Sequence, residues 1–176
     1  MDTMTQVLLL GDSLVADHDW QSRMPSYKVV NLAIPGVTTS ELLTALPDIK
    51  HRAKYADVIM LMVGTNDMLT GNFEFIDTLK KVFVQLSQDF VTAEVVVISL
   101  FPMKLAHMSD TTIDNLNGHI EQFTVQTGCC FLDIHSRFAD SQQTIFQEDG
   151  VHLTKEAYEI WTRALLEHIA FLVEND

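Results

Sequence analysis

Residues 58–67 read Val58-Ile59-Met60-Leu61-Met62-Val63-Gly64-Thr65-Asn66-Asp67. An unbroken apolar run, without the alternation of a half-exposed strand, is the pattern of a strand covered on both faces, and the residues that follow it are turn formers. Similar runs occur at Val7-Leu8-Leu9-Leu10, Val29-Val30-Asn31-Leu32, Val95-Val96-Val97-Ile98-Ser99-Leu100 and Cys129-Cys130-Phe131-Leu132. Between them Ile76, Leu79, Phe83, Leu86 and Phe90 recur at helical spacing, as do Ile113, Leu116, Ile120 and Phe123, and then Ala157, Trp161, Ala164, Leu165, Ile169 and Leu172. Each set marks one apolar helix face. Strand and helix in alternation, joined by right-handed crossovers, predict a three-layer α/β/α sandwich around a flavodoxin-like five-stranded parallel sheet.

Local signals refine this frame. Thr154 is placed to cap the last helix, with Glu156 in its first turn and Leu153 set to staple against Tyr158. Pro47 is expected to break the helix that starts after Thr38, or to open a second short one. Adjacent Cys129 and Cys130 cannot form an ordinary disulfide and are expected to be inert core thiols.

Composition narrows the function classes. With 176 residues the chain is long enough to bury one core, and a single domain over 1–176 is expected. It carries 47% hydrophobic residues, 7 Gly and 4 Pro, which excludes collagen-like and low-complexity classes. Lys and Arg number 11 against 24 Asp and Glu, for a formal charge of -13, the wrong sign for gripping a phosphate backbone. No nucleic-acid partner is expected. No Lys or Arg precedes Arg23, and no apolar run approaches the length of a membrane span. A cytoplasmic protein without stable membrane association is the expectation, although a leader removed from the chain would leave the same sequence. The sequence does not indicate an oligomeric state.

In such a sheet ligands sit beyond the carboxyl ends of the strands. Gly11-Asp12-Ser13-Leu14, Ala33-Ile34-Pro35-Gly36 and Gly64-Thr65-Asn66-Asp67 all fall there, and Glu148-Asp149-Gly150-Val151-His152 precedes the final helix. These supply the parts of acyl transfer. Ser13 offers a hydroxyl at a strand-to-helix turn, where a helix N-terminus favours developing negative charge. His152 titrates in the range a general base needs, and Asp149, three residues earlier, can orient its ring. The side-chain amide of Asn66 and the backbone N–H groups of Ser13 and Gly36 could form an oxyanion hole. Asp12 and Asp67 are expected to hold their turns.

These blocks, in this order from 11 to 152, resemble the SGNH hydrolase superfamily of GDSL-type esterases and lipases. The resemblance implies Ser13, His152 and Asp149 as the catalytic triad and Ser13, Gly36 and Asn66 as the oxyanion hole. Ala157 stands where many members have Gly, which leaves the triad untouched. Val15 in place of the last Gly of G-x-S-x-G argues against the α/β-hydrolase fold. His18, His51, His107, His119, His135 and His168 lack metal-ligand spacing, and no metal or cofactor is expected.

Loops at the same rim should set specificity. Met68, Leu69, Phe73 and Met103 are the substrate-binding candidates, drawn from a wider set with Phe75, Phe101, Leu105 and Met108, of which roughly half should be core cover. No insertion is long enough for a large lid, so a shallow site for small or short-chain esters is expected. The four blocks contain no Lys or Arg, and Lys104 is the nearest loop cation in sequence, which tilts the small-molecule substrate toward a neutral ester. A carbohydrate O-acetylesterase would use the same machinery, and a non-catalytic binding protein could keep the fold.

Overall fold

The computed structural model describes residues 4–174. In chain order the elements are β1 (Gln6–Gly11), α1 (Ser13–Ala16), α2 (Trp20–Arg23), β2 (Lys28–Asn31), α3 (Thr39–Arg52), β3 (Val58–Met62), α4 (Thr65–Leu69), α5 (Ile76–Asp89), β4 (Glu94–Ile98), α6 (Thr112–Thr127), β5 (Cys130–Leu132), α7 (Ile134–Ala139) and α8 (Lys155–Glu174). The sheet is wholly parallel in the order β2-β1-β3-β4-β5, the flavodoxin-like arrangement expected.

Every residue of β1 and β3 is buried, as unbroken apolar runs require, and the pleat divides them between two cores. Leu8, Leu10, Ile59, Leu61, Val95 and Val97 pack with α3, α5 and α6 on one face. Val7, Leu9, Met60, Met62, Val96 and Ile98 pack with Trp20, Phe138, Trp161 and Leu165 on the other. The edge strands β2 and β5 are only partly covered. Cys129 and Cys130 are therefore half-buried free thiols at a sheet edge rather than core residues, and burial, the leading cause, raises the pKa of Cys130.

Helix α3 runs unbroken through Pro47, contrary to expectation. A proline in a helix removes the bond to the carbonyl four residues back, here Leu43. Pro47 is exposed, whereas Leu42, Leu46 and Ile49 are buried, so the lost bond faces water while the apolar face holds the helix down. Its start is fixed by a capping box. Glu41 Oε2 accepts from the Thr38 N–H at 2.8 Å, and Thr38 Oγ1 accepts in return from the Glu41 N–H. Thr154 caps α8, its hydroxyl oxygen accepting the Ala157 N–H at 3.2 Å. Leu153 and Tyr158 join the same apolar cluster. Among the described residues no helix is long and apolar enough to cross a membrane.

Candidate active site

Ser13 opens α1 immediately after β1, at the carboxyl end of the sheet. The turn before it has no spare volume. In register Gly11 lies beside Met62, and a Cβ on Gly11 would collide with the Met62 carbonyl oxygen and come within 2.6 Å of Val15 Cγ2. Asp12 caps α1 by accepting the Leu14 N–H on Oδ1 at 2.9 Å. Its other oxygen, Oδ2, is buried with no hydrogen-bond partner among the described residues. Burial raises the Asp12 carboxyl from 3.8 to about 7, against the lowering effect of the Leu14 N–H and of nearby His152.

Asp149 and His152 sit on a tight loop between Phe146 and Leu153, which pair as an antiparallel bridge. The Gln147 N–H donates to the His152 carbonyl at 2.8 Å, closing the loop. Asp149 Oδ1 accepts the backbone N–H groups of Val151 and His152, both at 2.9 Å, and Oδ2 is hydrogen-bonded to His152 Nδ1. The Val151 N–H leads the interactions that lower the Asp149 carboxyl to about 2, followed by the His152 side chain. Both side chains are partly open to solvent. His152 lies near enough to Asp12, the neighbour of Ser13, to bias its ionisation. Among the described residues no hydrogen bond joins Ser13 to His152, and such contacts often tighten only with substrate bound.

Gly36 lies on the exposed loop after β2 with φ +76°, and a Cβ there would meet open space. The glycine is required by its left-handed backbone rather than by crowding. Asn66, in the first turn of α4, donates one amide proton to the Val37 carbonyl at 3.0 Å. That bond ties the Asn66 turn to the Gly36 loop and leaves a second amide proton. The N–H of Gly36 has no protein acceptor among the described residues.

Asp67 departs from its expected part as a turn residue using its own backbone. It is buried, and its Oδ2 accepts from both the backbone N–H and the hydroxyl of Thr39, each at 2.9 Å, joining α4 to the start of α3. Of the substrate-binding candidates, Met68 is wholly enclosed in the core and Met103 is 4% exposed, so neither offers a broad face to a ligand. Leu69 is exposed at the end of α4. Phe73 is half-buried and lines an open groove of about 840 Å³ between α5 and α6. Met103 edges a smaller groove with Leu105 and Met108, and neither groove is lined by Ser13, Gly36, Asn66 or His152. Nor do these residues gather three potential metal-ligating side chains at any point.

One contact beside Ser13 goes beyond the staple role that the sequence suggests for Tyr158. The Tyr158 hydroxyl donates to the Leu14 carbonyl at 2.6 Å, 144 residues away. Its only sequence trace is a tyrosine in the first turn of an otherwise apolar helix face.

The family model for the GDSL-like Lipase/Acylhydrolase family matches residues 9–160. The chain belongs to that family. Family membership makes it a GDSL-type hydrolase of ester bonds. Solved structures share the fold at low identity. A Streptococcus pneumonia protein whose name refers to platelet activating factor superposes with a TM-score of 0.82 at 22% identity, covering 95% of this chain and 85% of its own. A member of the lipolytic protein G-D-S-L family from Veillonella parvula gives 0.78 at 19%, covering 93% and 97%. Est24, a carbohydrate acetylesterase from Sinorhizobium meliloti, gives 0.79 at 17%, covering 96% and 99%. A search of curated proteins gives no match.

Proposed function

We propose that this GDSL hydrolase is a serine esterase that cleaves small, neutral carboxylic esters through an acyl-enzyme. The observation that carries the reading is the Asp149–His152 pair. One carboxylate oxygen is held by two backbone N–H groups while the other takes the Nδ1 proton, so Nε2 is left as the basic nitrogen. His152 Nε2 takes the Ser13 proton as Ser13 Oγ bonds to the ester carbonyl carbon. The oxyanion that forms is stabilised by the N–H groups of Ser13 and Gly36 and the free amide proton of Asn66. Collapse expels the alcohol, which leaves with the proton from His152. Water, deprotonated by the same nitrogen, then attacks the acyl-enzyme and releases the acid.

Two observations support a small acyl group. The groove between α5 and α6 and the smaller groove edged by Met103 both lie away from the proposed catalytic residues, and Met68 is enclosed in the core instead of lining a tunnel beside them. The fold likeness to the carbohydrate acetylesterase Est24 supports a second reading, an O-acetylesterase with a sugar as leaving group. Rates on p-nitrophenyl acetate, butyrate and octanoate, set beside acetate release from acetylated sugars, separate the two, with Ser13→Ala as control. The reading expects a steep fall beyond short acyl chains and no turnover by Ser13→Ala. A preference for the octanoate would overturn the small-acyl assignment.

A further inference from the structure

Helix α1 is a single turn of four residues, too short to satisfy its own ends or to be stable alone. Its geometry is imposed by neighbours. At the head, Asp12 accepts the Leu14 N–H through its side chain and the Val15 and Ala16 N–H groups through its carbonyl, at 3.1 and 2.9 Å. At the tail, carbonyls that a longer helix would bond internally go to side chains from elsewhere. The Val15 carbonyl accepts from Trp20 Nε1 at 2.8 Å and from Asn31 Nδ2 at 3.2 Å. The Leu14 carbonyl accepts from the Tyr158 hydroxyl at 2.6 Å. Trp20 and Asn31 follow α1 closely in sequence. Tyr158 does not, because it stands in the first turn of α8, which the chain enters directly from His152 through Thr154.

We propose that Tyr158 is a positioning residue for ester hydrolysis: its hydroxyl, bonded to the Leu14 carbonyl, fixes the one-turn helix of Ser13 against the helix that follows His152. The inference rests on the reading of Ser13 and His152 as nucleophile and base. Those two groups stand on segments far apart in the chain, and their approach is set by how α1 meets α8. The Tyr158 ring is itself immobilised. It stacks on His18 with centroids 4.3 Å apart and planes 5° from parallel, and meets the edge of Trp20 at 6.2 Å and the Trp161 ring at 6.0 Å. A held ring gives its hydroxyl one direction, which is what positioning requires. Burial, with lesser help from Asp17 and Asp12, moves the phenol above its ordinary pKa, so it remains a donor at neutral pH. No proton leaves Tyr158 in this role.

The test is steady-state kinetics on p-nitrophenyl acetate across neutral and mildly alkaline pH for the parent protein, Tyr158→Phe, Thr162→Val and Ser13→Ala. Tyr158→Phe keeps the aromatic stack and removes only the hydroxyl. Its kcat should fall about 10- to 100-fold with KM within about twofold and the shape of the pH profile unchanged. Thr162→Val removes the 3.4 Å contact between Thr162 and His18 in the same cluster without touching Leu14, and should keep the parent kcat. An unaltered kcat in Tyr158→Phe, or an equal loss in Thr162→Val, would overturn the positioning role while Ser13→Ala is inactive. Turnover by Ser13→Ala would instead overturn the nucleophile assignment, and the inference with it.

Discussion

His152 Nδ1 is hydrogen-bonded to Oδ2 of Asp149, three residues earlier, while Oδ1 of the same carboxylate is occupied by the N–H groups of Val151 and His152. The carboxylate thus cannot swing away from the imidazole without breaking its own loop. Asp149→Asn would keep the size of this side chain but could turn its amide N–H toward Nδ1, moving the ring proton to Nε2. A fall in kcat of about 10³–10⁴, with KM little changed, is expected from steady-state assay.

The same contacts have a pH consequence. The folded pKa of Asp149 is lowered from 3.8 to about 2, so its contribution to stability is present above the unfolded value and lost as pH falls through about 2. Asp149 stays ionised over the mildly acidic range. A loss of activity between pH 4 and 6 in a pH–rate profile should therefore trace to a group other than Asp149.

Asp12 behaves in the opposite sense. Its folded pKa is raised from 3.8 to about 7 by burial, so the folded state holds a proton that the unfolded state has released between those values. Stability should fall as pH rises through that window and level off above it. Asp12→Asn preserves a capping oxygen and cannot ionise, so it should abolish this slope, gaining on the order of 3–4 kcal/mol over the parent at pH 8 relative to pH 4. Urea unfolding at both pH values reads the difference.

Asn66 has two tasks, the tether to the Val37 carbonyl and the proposed oxyanion contact. Asn66→Ala should lower kcat by about 10²–10³. A near-parent rate by the same assay would remove it from the oxyanion hole.

The two glycines beside the site should respond differently to alanine. Gly36→Ala meets no atom and bears only the left-handed backbone, at a cost of about 1–2 kcal/mol. Gly11→Ala meets the Met62 backbone and Val15, neither of which can retreat within β3 and α1, and should cost about 3 kcal/mol or more. Thermal melting of the two variants gives the ordering.

Much of the architecture was legible because it rests on short-range pattern. The apolar runs of β1, β3 and β4 are continuous because both faces are covered, and the helix stripes of α5, α6 and α8 repeat at the spacing that one buried face requires. The capping of α8 by Thr154 is equally local. What failed depended on tertiary surroundings. Pro47 is tolerated because the bond it removes faces solvent, and Asp67 reaches across to Thr39 because α3 begins beside it. Met68 looks like a flexible pocket residue in sequence, yet close packing beneath the rim encloses it. The bond from Tyr158 to Leu14 spans nearly the whole chain and leaves no pattern to read.

Ser13 is the residue proposed to carry the acyl group. Its direct test is intact and peptide mass spectrometry after treatment with a fluorophosphonate, which forms a stable bond to an activated serine oxygen. One adduct per chain is expected, located on Ser13, formed slowly or not at all in Asp149→Asn and absent in Ser13→Ala. An adduct on a different residue, or undiminished labelling of Ser13→Ala, would contradict it.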